Sequence, residues 1–568
     1  MNTTNLNVKA KKQNHFDAIV IGAGMSGSWA AKEFCEKGLK TLVLERGRNI
    51  EHGVDYPNAM KELWEFPYRN TVHPEIKKEN PIVSKCYAFR EATLDHFVKD
   101  NEHPYIQKKP FDWIRGYQVG GKSLMWARHV QRWAKFDFEA NAKDGYGVDW
   151  PIRYDDIAPW YSHVERFAGI SGNKDGLEAV PDGEFLPPME LTDVEKYCIS
   201  SIQDRFQNRH VINARIANLS RPHNGRVCMY RGRCERGCPY GGYFSANSVT
   251  IPAAAATGNM TLRPFSVVQE IMYDQKLGKA SGVRVIDTNT KEVIEYTADV
   301  IMVNAGAINS LLLMMNSTSE RFPNGIGNDS ETLGHYIVFH NYRIRVRGEL
   351  DGFREKYYFG RKPTGLYIPR FRNIGSDVQK DFLRGYSFGM WTSRGNGNLD
   401  PNKAPIGAEL KEQLSELGGW GVGMTGMGEV LPKFENQVSL SKTETDEWGI
   451  PLVEIDVSYT DNDDNMCEDI KVTGAEMLEA AGAKNVTVSD SHQAPGLDIH
   501  EMGGCRMGKD PKNSMLNGWN QMHEVKNVFV ADGSAMTSAA CQNPSITFMA
   551  LTARATNYAV EQLKKGAL

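Results

Sequence analysis

The sequence lacks any run of about 18 consecutive apolar residues, so no transmembrane helix is expected. Its opening stretch, MNTTNLNVKAKKQNHF, has lysines but no apolar segment, and no secretory signal peptide is expected there. No internal repeat of about 20 to 50 residues and no Pro- or Ser-rich linker is present, which excludes a solenoid and leaves domain boundaries unmarked by composition. There is no excess of charge of one sign. Lys+Arg 66 against Asp+Glu 70 leaves a net charge of −4, so the basic footprint of a nucleic-acid-binding protein is missing. Cysteines number nine, an odd count, and six of them (Cys35, Cys86, Cys198, Cys467, Cys505, Cys541) are scattered, which does not fit a secreted disulfide framework. What is present is an ordinary soluble composition, 41% hydrophobic and 24% charged, in a chain of 568 residues long enough to bury a large core.

Along the chain, Phe16–Ile21 is a short apolar run with β-branched residues and reads as a buried parallel strand. A Gly-rich turn follows, then a helical stretch from Met25 to Lys37 stopped by Gly38, then a second strand at Thr41–Leu44. This is a βαβ unit with a right-handed crossover and a parallel sheet. Val300–Val303 reads as a further buried strand and Ile308–Met315 as a helix. Alternation near Tyr342–Val346 predicts antiparallel strands with one wet face. Val528–Ala531 reads as a strand and Ser545–Leu563 as a long helix. Strand–turn–helix units at both ends with β-rich material between them predict an α/β nucleotide-binding domain enclosing a second domain.

Gly22-Ala23-Gly24-Met25-Ser26-Gly27 is a G-x-G-x-x-G that follows a strand and opens a helix, and Glu45 ends the next strand 18 residues beyond Gly27. That context matches the dinucleotide-binding fingerprint, whose acidic residue lies about 20 residues on. Gly22 permits the tight turn, Gly24 lets the backbone approach a pyrophosphate, and Gly27 lets helix and strand pack closely. The helix N-terminus offers free N–H groups to the phosphates and Glu45 can accept from ribose hydroxyls. FAD and NAD share this fingerprint; its place near the N-terminus and the Leu44-Glu45-Arg46-Gly47 ending favour FAD.

A second Gly-rich element, Arg115-Gly116-Tyr117-Gln118-Val119-Gly120-Gly121-Lys122-Ser123, allows backbone to press against a flat or anionic ligand. Together with the first fingerprint, His500-Glu501-Met502-Gly503-Gly504-Cys505-Arg506, Val530-Ala531-Asp532-Gly533-Ser534 and Gln542-Asn543-Pro544-Ser545-Ile546-Thr547, it closely resembles the glucose–methanol–choline (GMC) oxidoreductase family. The resemblance runs over almost the whole chain, more loosely at 140–220 and 350–480. It implies a Rossmann-like α/β FAD-binding domain with an interleaved α+β substrate domain carrying an antiparallel sheet. The segments expected are 15–135, 216–330 and 491–568 for the FAD domain, and 136–215 and 331–490 for the substrate domain. It also implies FAD contacts from Gly120, Gly121, Ser123, Val268, Asp532, Gly533, Asn543 and Thr547. Met125 stands where some members carry a flavin-linking His, so FAD is expected to be held non-covalently.

Oxidising an alcohol removes the O–H proton as hydride leaves carbon for the flavin, and a neutral imidazole suits the first task near neutral pH. By resemblance His500 is the catalytic base and Asn543, 43 positions later, its partner. His335 and His340 are expected to be structural. Trp126 and Trp133 could stack on a sugar face or belong to the core.

Cys228-x5-Cys234-x3-Cys238-Pro239 places three thiols within eleven residues, among Arg226, Arg231, Arg233 and Arg236. Three thiolates fit a [3Fe-4S] cluster, and the C-x3-C-P ending resembles part of a bacterial ferredoxin run. Zinc with His223 as a fourth ligand, or one disulfide with a free thiol, stays open. The spacing also resembles that in catalytic subunits of bacterial sugar dehydrogenase complexes of this family. That resemblance implies a dehydrogenase sending single electrons to a cytochrome c-type acceptor, accompanied by a small subunit bearing a twin-arginine signal. The expected compartment is then periplasmic by co-export, whereas the N-terminus read alone suggests cytoplasmic. The expected substrate is a sugar or glycoside oxidised at a secondary ring hydroxyl, C3 of a glucoside being favoured. Glucose C1, gluconate, fructose or sorbitol, and an oxygen-using oxidase, stay open.

Overall fold

The computed structural model describes residues 14–358, 365–395 and 405–568. The strand His15–Ile21 lies inside a seven-stranded sheet, parallel to Thr41–Leu44 on one side and to Val293–Val303 on the other. Ala18, Ile19 and Val20 are fully buried, because helices or other chain cover both faces, which is why this strand reads as an unbroken apolar run. Thr41–Leu44 pairs in parallel with Met260–Arg263. Val293–Val303 is long enough to serve two partners on its far side. Its C-terminal half pairs in parallel with Val528–Val530, and its N-terminal half pairs antiparallel with Lys279–Asp287, which turns back to Ser266–Asp274. The helix Met25–Glu36 packs against the last helix, Ser545–Lys564, through small side chains such as Ala30, Ala31, Ala555 and Ala559.

A second, antiparallel sheet runs in the order Lys484–Asp490, Ile344–Leu350, Trp420–Glu429, Tyr386–Arg394, Leu366–Ile368, Ile212–Asn213. The short strand His340–Asn341 pairs with the end of Trp420–Glu429. The long helix Asp461–Ala480 covers this sheet and buries Met466, Ile470 and Met477 against Ile344, Val346 and Phe388. A three-stranded sheet joins Gln437–Thr445 and Pro451–Asp456 to Ile106–Gln107. Residues 106–107 are thus tied to the 331–490 segment, although they fall inside the 15–135 segment expected for the FAD domain. No helix among the described residues is long and apolar enough to cross a membrane.

Candidate active site

Residues from both large sheets line one cavity of about 520 Å³, within the range of pockets that bury a cofactor-sized ligand. The first wall is the strand–turn–helix at residues 21–27. Gly22 has φ +97°, and a Cβ there would lie 2.5 Å from the Asn304 carbonyl oxygen. A Cβ on Gly27 would lie 1.8 Å from the Gly22 carbonyl oxygen, so the helix can start only if this residue is glycine. Gly24 is different: a Cβ there would meet nothing within 4 Å, and the residue lines the cavity. The helix that begins at Met25 has no side-chain cap and no acidic residue in its first turn. Its first N–H groups are left for an anionic ligand at the cavity.

Glu45 lines the same wall. Its carboxylate accepts from Ala23 N at 3.1 Å and Gly47 N at 3.0 Å, and burial pushes its pKa up. Asn304, also on the lining, is 4% exposed and neither its amide nitrogen nor its amide oxygen has a partner. Buried polar atoms are rarely left unpaired, so the Asn304 amide offers both a donor and an acceptor to a polar ligand in the cavity. The residues present fit FAD: an open glycine, uncapped helix N–H groups, an acidic strand end and an orphaned amide share one cavity.

Gly120 and Gly121 brace this turn. Gly120 N donates to Ala23 O at 3.0 Å, and a Cβ on Gly121 would lie 3.3 Å from Gly24 Cα. Ser123 lines the cavity, yet its hydroxyl is spent on Gly120 O at 2.6 Å and on accepting from Ala246 N at 3.0 Å. Val268 and Gly533 lie on the lining. So does Asp532, but both its carboxylate oxygens are committed within the chain. One accepts from Gly306 N and Ser310 Oγ, the other from Ser534 N and Oγ. Thr547, expected among the flavin contacts, turns its hydroxyl away from the cavity: it is buried at 2.8 Å from Tyr161 Oη, while Ser545 and Phe548 face the cavity. Trp133 is likewise not available to a sugar. It is fully buried in the core against Phe138 and Trp150, whereas Trp126 does line the cavity, with its indole N–H on Phe244 O at 3.0 Å.

His500 and Asn543 meet on the cavity wall, with Asn543 Nδ2 donating to His500 Nε2 at 3.4 Å. Burial, with the nearby His340, Lys122 and His129, holds the His500 pKa well below the ordinary histidine range. His340, which carries no recognisable flanking motif, has its Nδ1 2.8 Å from His500 Nδ1. Burial brings the His340 pKa down to about 4. Asp498 accepts the His340 backbone N–H at 2.9 Å, and burial raises its pKa to about 7. Lys122 donates to Glu501 at 2.8 Å beside this group. His335 sits away from it, stacked 3.8 Å from the Phe434 ring with Nδ1 on the Phe434 carbonyl. Substrate-side lining comes from the antiparallel sheet, where Gly389, a glycine whose Cβ would meet nothing within 4 Å, leaves room beside Met427, Tyr342 and Tyr367.

The three clustered cysteines are all free thiols in one loop. Gly242 N donates to Cys238 Sγ at 3.4 Å and Asn218 Nδ2 lies 3.8 Å from Cys234 Sγ. Arg128, which lines the cavity, has its Nη2 3.5 Å from Glu235, the neighbour of Cys234 in the loop. Two N–H donors thus reach two of the three sulfurs, the kind of contact that ligating thiolates take. Zinc would hold each sulfur at about 2.3 Å and so keep any two within about 4.6 Å. Among the described residues, the only His, Cys, Asp or Glu ligand atoms gathered within 4.8 Å in a group of three or more are those of His340, Asp498 and His500. His223 Nε2, the candidate fourth zinc ligand, is on Arg166 O at 2.9 Å.

Two family models, both described as GMC oxidoreductase, match residues 16–341 and 432–552. The chain is 28% identical over 565 residues to 2-methyl-1,2-propanediol dehydrogenase from Mycolicibacterium austroafricanum, covering 95% of this chain and 94% of that one. It is 26% identical over 566 residues to the fructose dehydrogenase large subunit from Gluconobacter japonicus, covering 97% and 98%. Among solved structures, formate oxidase from Aspergillus oryzae superposes with a TM-score of 0.63 at 15% identity, over 98% of this chain and all of that one. The fold, the cavity and these matches agree: the chain belongs to the GMC oxidoreductases, enzymes that oxidise CH–OH groups.

Proposed function

We propose that the protein is an FAD-dependent dehydrogenase oxidising a secondary ring hydroxyl of a pyranose or glycoside, in particular glucoside C3 to the 3-keto sugar. The observation that carries this reading is the His500–Asn543 pair on the wall of the cavity that also holds the dinucleotide turn. Bound FAD, held non-covalently, supplies the hydride acceptor. His500 takes the hydroxyl proton on Nε2, and its lowered pKa keeps it neutral and ready at pH 7. Asn543 holds the substrate oxygen through its amide without competing for the proton. Trp126, Tyr342 and Phe548 add aromatic surface to the same cavity.

In this proposal Cys228, Cys234 and Cys238 hold a [3Fe-4S] cluster, which supplies one-electron exit to a cytochrome c-type acceptor. A relative named as a large subunit supports assembly with other subunits. A small partner bearing a twin-arginine signal would carry the loaded enzyme to the periplasm.

The test mixes the holoprotein anaerobically with methyl β-D-glucopyranoside, D-glucose, D-fructose, D-gluconate and sorbitol. The account expects fast flavin bleaching by the glucoside, a C3 ketone by NMR, and iron, acid-labile sulfide and an oxidised-state EPR signal in the purified protein. A flavin left unbleached by every compound, or a protein free of iron, contradicts it.

A further inference from the structure

We propose that His340 is a positioning residue that fixes the tautomer of His500 and leaves the His500 Nε2 lone pair pointing to substrate. The inference rests on the reading of His500 as the base. It starts from the Ala540 carbonyl, a group that can only accept. His340 Nε2 is in hydrogen-bond contact with that carbonyl oxygen, so Nε2 carries the hydrogen. His340 is fully buried, and burial disfavours its charged form, so its other nitrogen is bare. That bare Nδ1 lies 2.8 Å from His500 Nδ1. Two bare nitrogens cannot bond, so His500 Nδ1 carries the hydrogen and donates it. His500 is then neutral with a lone pair on Nε2, the atom that faces Asn543 Nδ2 at 3.4 Å. The tautomer of His500 follows from the Ala540 carbonyl alone, and Asn543, with its Nδ2 towards His500 Nε2, completes the chain as a donor.

The surroundings hold His340 in place for this task. Its backbone pairs with Glu429 in the antiparallel sheet, and its N–H is on Asp498 Oδ2 at 2.9 Å. The loop that presents Ala540 is pinned to the same sheet, where Ser387 Oγ donates to Cys541 O at 2.7 Å. Asp498 is not itself the orienting group: its other oxygen accepts from Gly496 N at 3.2 Å. The two imidazole rings meet edge to face at 89° with centroids 4.9 Å apart, a geometry that aims one nitrogen at the other. When His500 accepts the substrate proton, its Nδ1–H bond to a neutral acceptor stabilises the charged ring.

Two measurements test this. In holoprotein labelled with [15N]histidine, resonances assigned through His500→Gln and His340→Leu should show wild-type His500 protonated on Nδ1 and bare on Nε2. A mixture of tautomers is expected in His340→Leu. A wild-type His500 protonated on Nε2 overturns the proposal, and this readout needs no substrate. In stopped flow, using whichever of the compounds above bleaches the wild-type flavin fastest, His340→Leu should slow bleaching about 100-fold. Substrate affinity and FAD content should be unchanged, with partial recovery in His340→Asn, whose Oδ1 can accept from His500. Adding His340→Leu to His500→Ala should cost nothing further. Equal rates in His340→Leu and wild type, with His500→Ala slow, reject the positioning role alone. A fast His500→Ala rejects the base reading beneath it.

Discussion

His500 and Asn543 were nameable from the sequence because the flanking His-Glu-Met-Gly-Gly and Asn-Pro-Ser motifs mark them. His340 was not, since it sits alone on a two-residue strand and acts only through contacts made across 160 positions of chain. The same limit applies to Asn304, whose orphaned amide is visible only once the strand end and the helix start are brought together. Thr547 shows the converse: a motif names the residue but not where its side chain points, which is towards Tyr161 and the core. At this scale pH gives a direct prediction. The pKa of His500 is held well below 6.5 by burial and by His340, Lys122 and His129, and its neutral form is the one that works. The groups facing it also include Asp498. Asp498 titrates at about 7 beside it, so the clean measurement is made in Asp498→Asn, where the rate of flavin bleaching by substrate should stay flat from pH 8 down through 6.5, with any acid limb below that value. An acid limb at or above pH 6.5 in that variant, measured by stopped flow, contradicts the assignment. Asn543→Ala should slow bleaching about 100- to 1,000-fold with FAD still bound, as expected for loss of one oriented hydrogen-bond donor.

At the scale of elements, the strand, turn and helix at residues 15–44 were fully legible, because their hydrophobic run, glycine spacing and acidic strand end are local signals. The small sheet joining Ile106–Gln107 to Pro451–Asp456 was not, since two residues are too few to show a period and their partner lies far along the chain. Gly27→Ala is the sharp test of the turn. The added methyl would lie 1.8 Å from a backbone carbonyl, so helix and strand must separate, and the purified variant should carry little or no FAD by its visible spectrum. A variant with full flavin would show that the helix start tolerates a side chain. The cysteine loop makes a separate prediction. Cys234→Ser should remove iron and acid-labile sulfide and abolish reduction of cytochrome c, while anaerobic bleaching continues at the wild-type rate. Unchanged iron content in that variant defeats the cluster assignment.

At the scale of the whole molecule, the chain returns to its first sheet after long excursions, at Val293–Val303 and again at Val528–Val530. That is why composition marks no boundary: the cavity wall is assembled from residues as distant as Gly24, Arg128, Asn304, Gly389 and Asn543. The α/β class and the antiparallel sheet followed from local patterns and from the resemblance. Which strands neighbour which did not, because pairing is decided by burial between distant segments. The arrangement sets Arg128 on the cavity lining with its Nη2 3.5 Å from Glu235, so one side chain reaches from the flavin cavity to the cysteine loop. The most direct test of the account compares anaerobic flavin bleaching by a glucoside in wild type and His500→Ala at equal FAD content. The account predicts bleaching in the wild type and a loss of at least about 100-fold in the variant. Equal rates in the two proteins would contradict it.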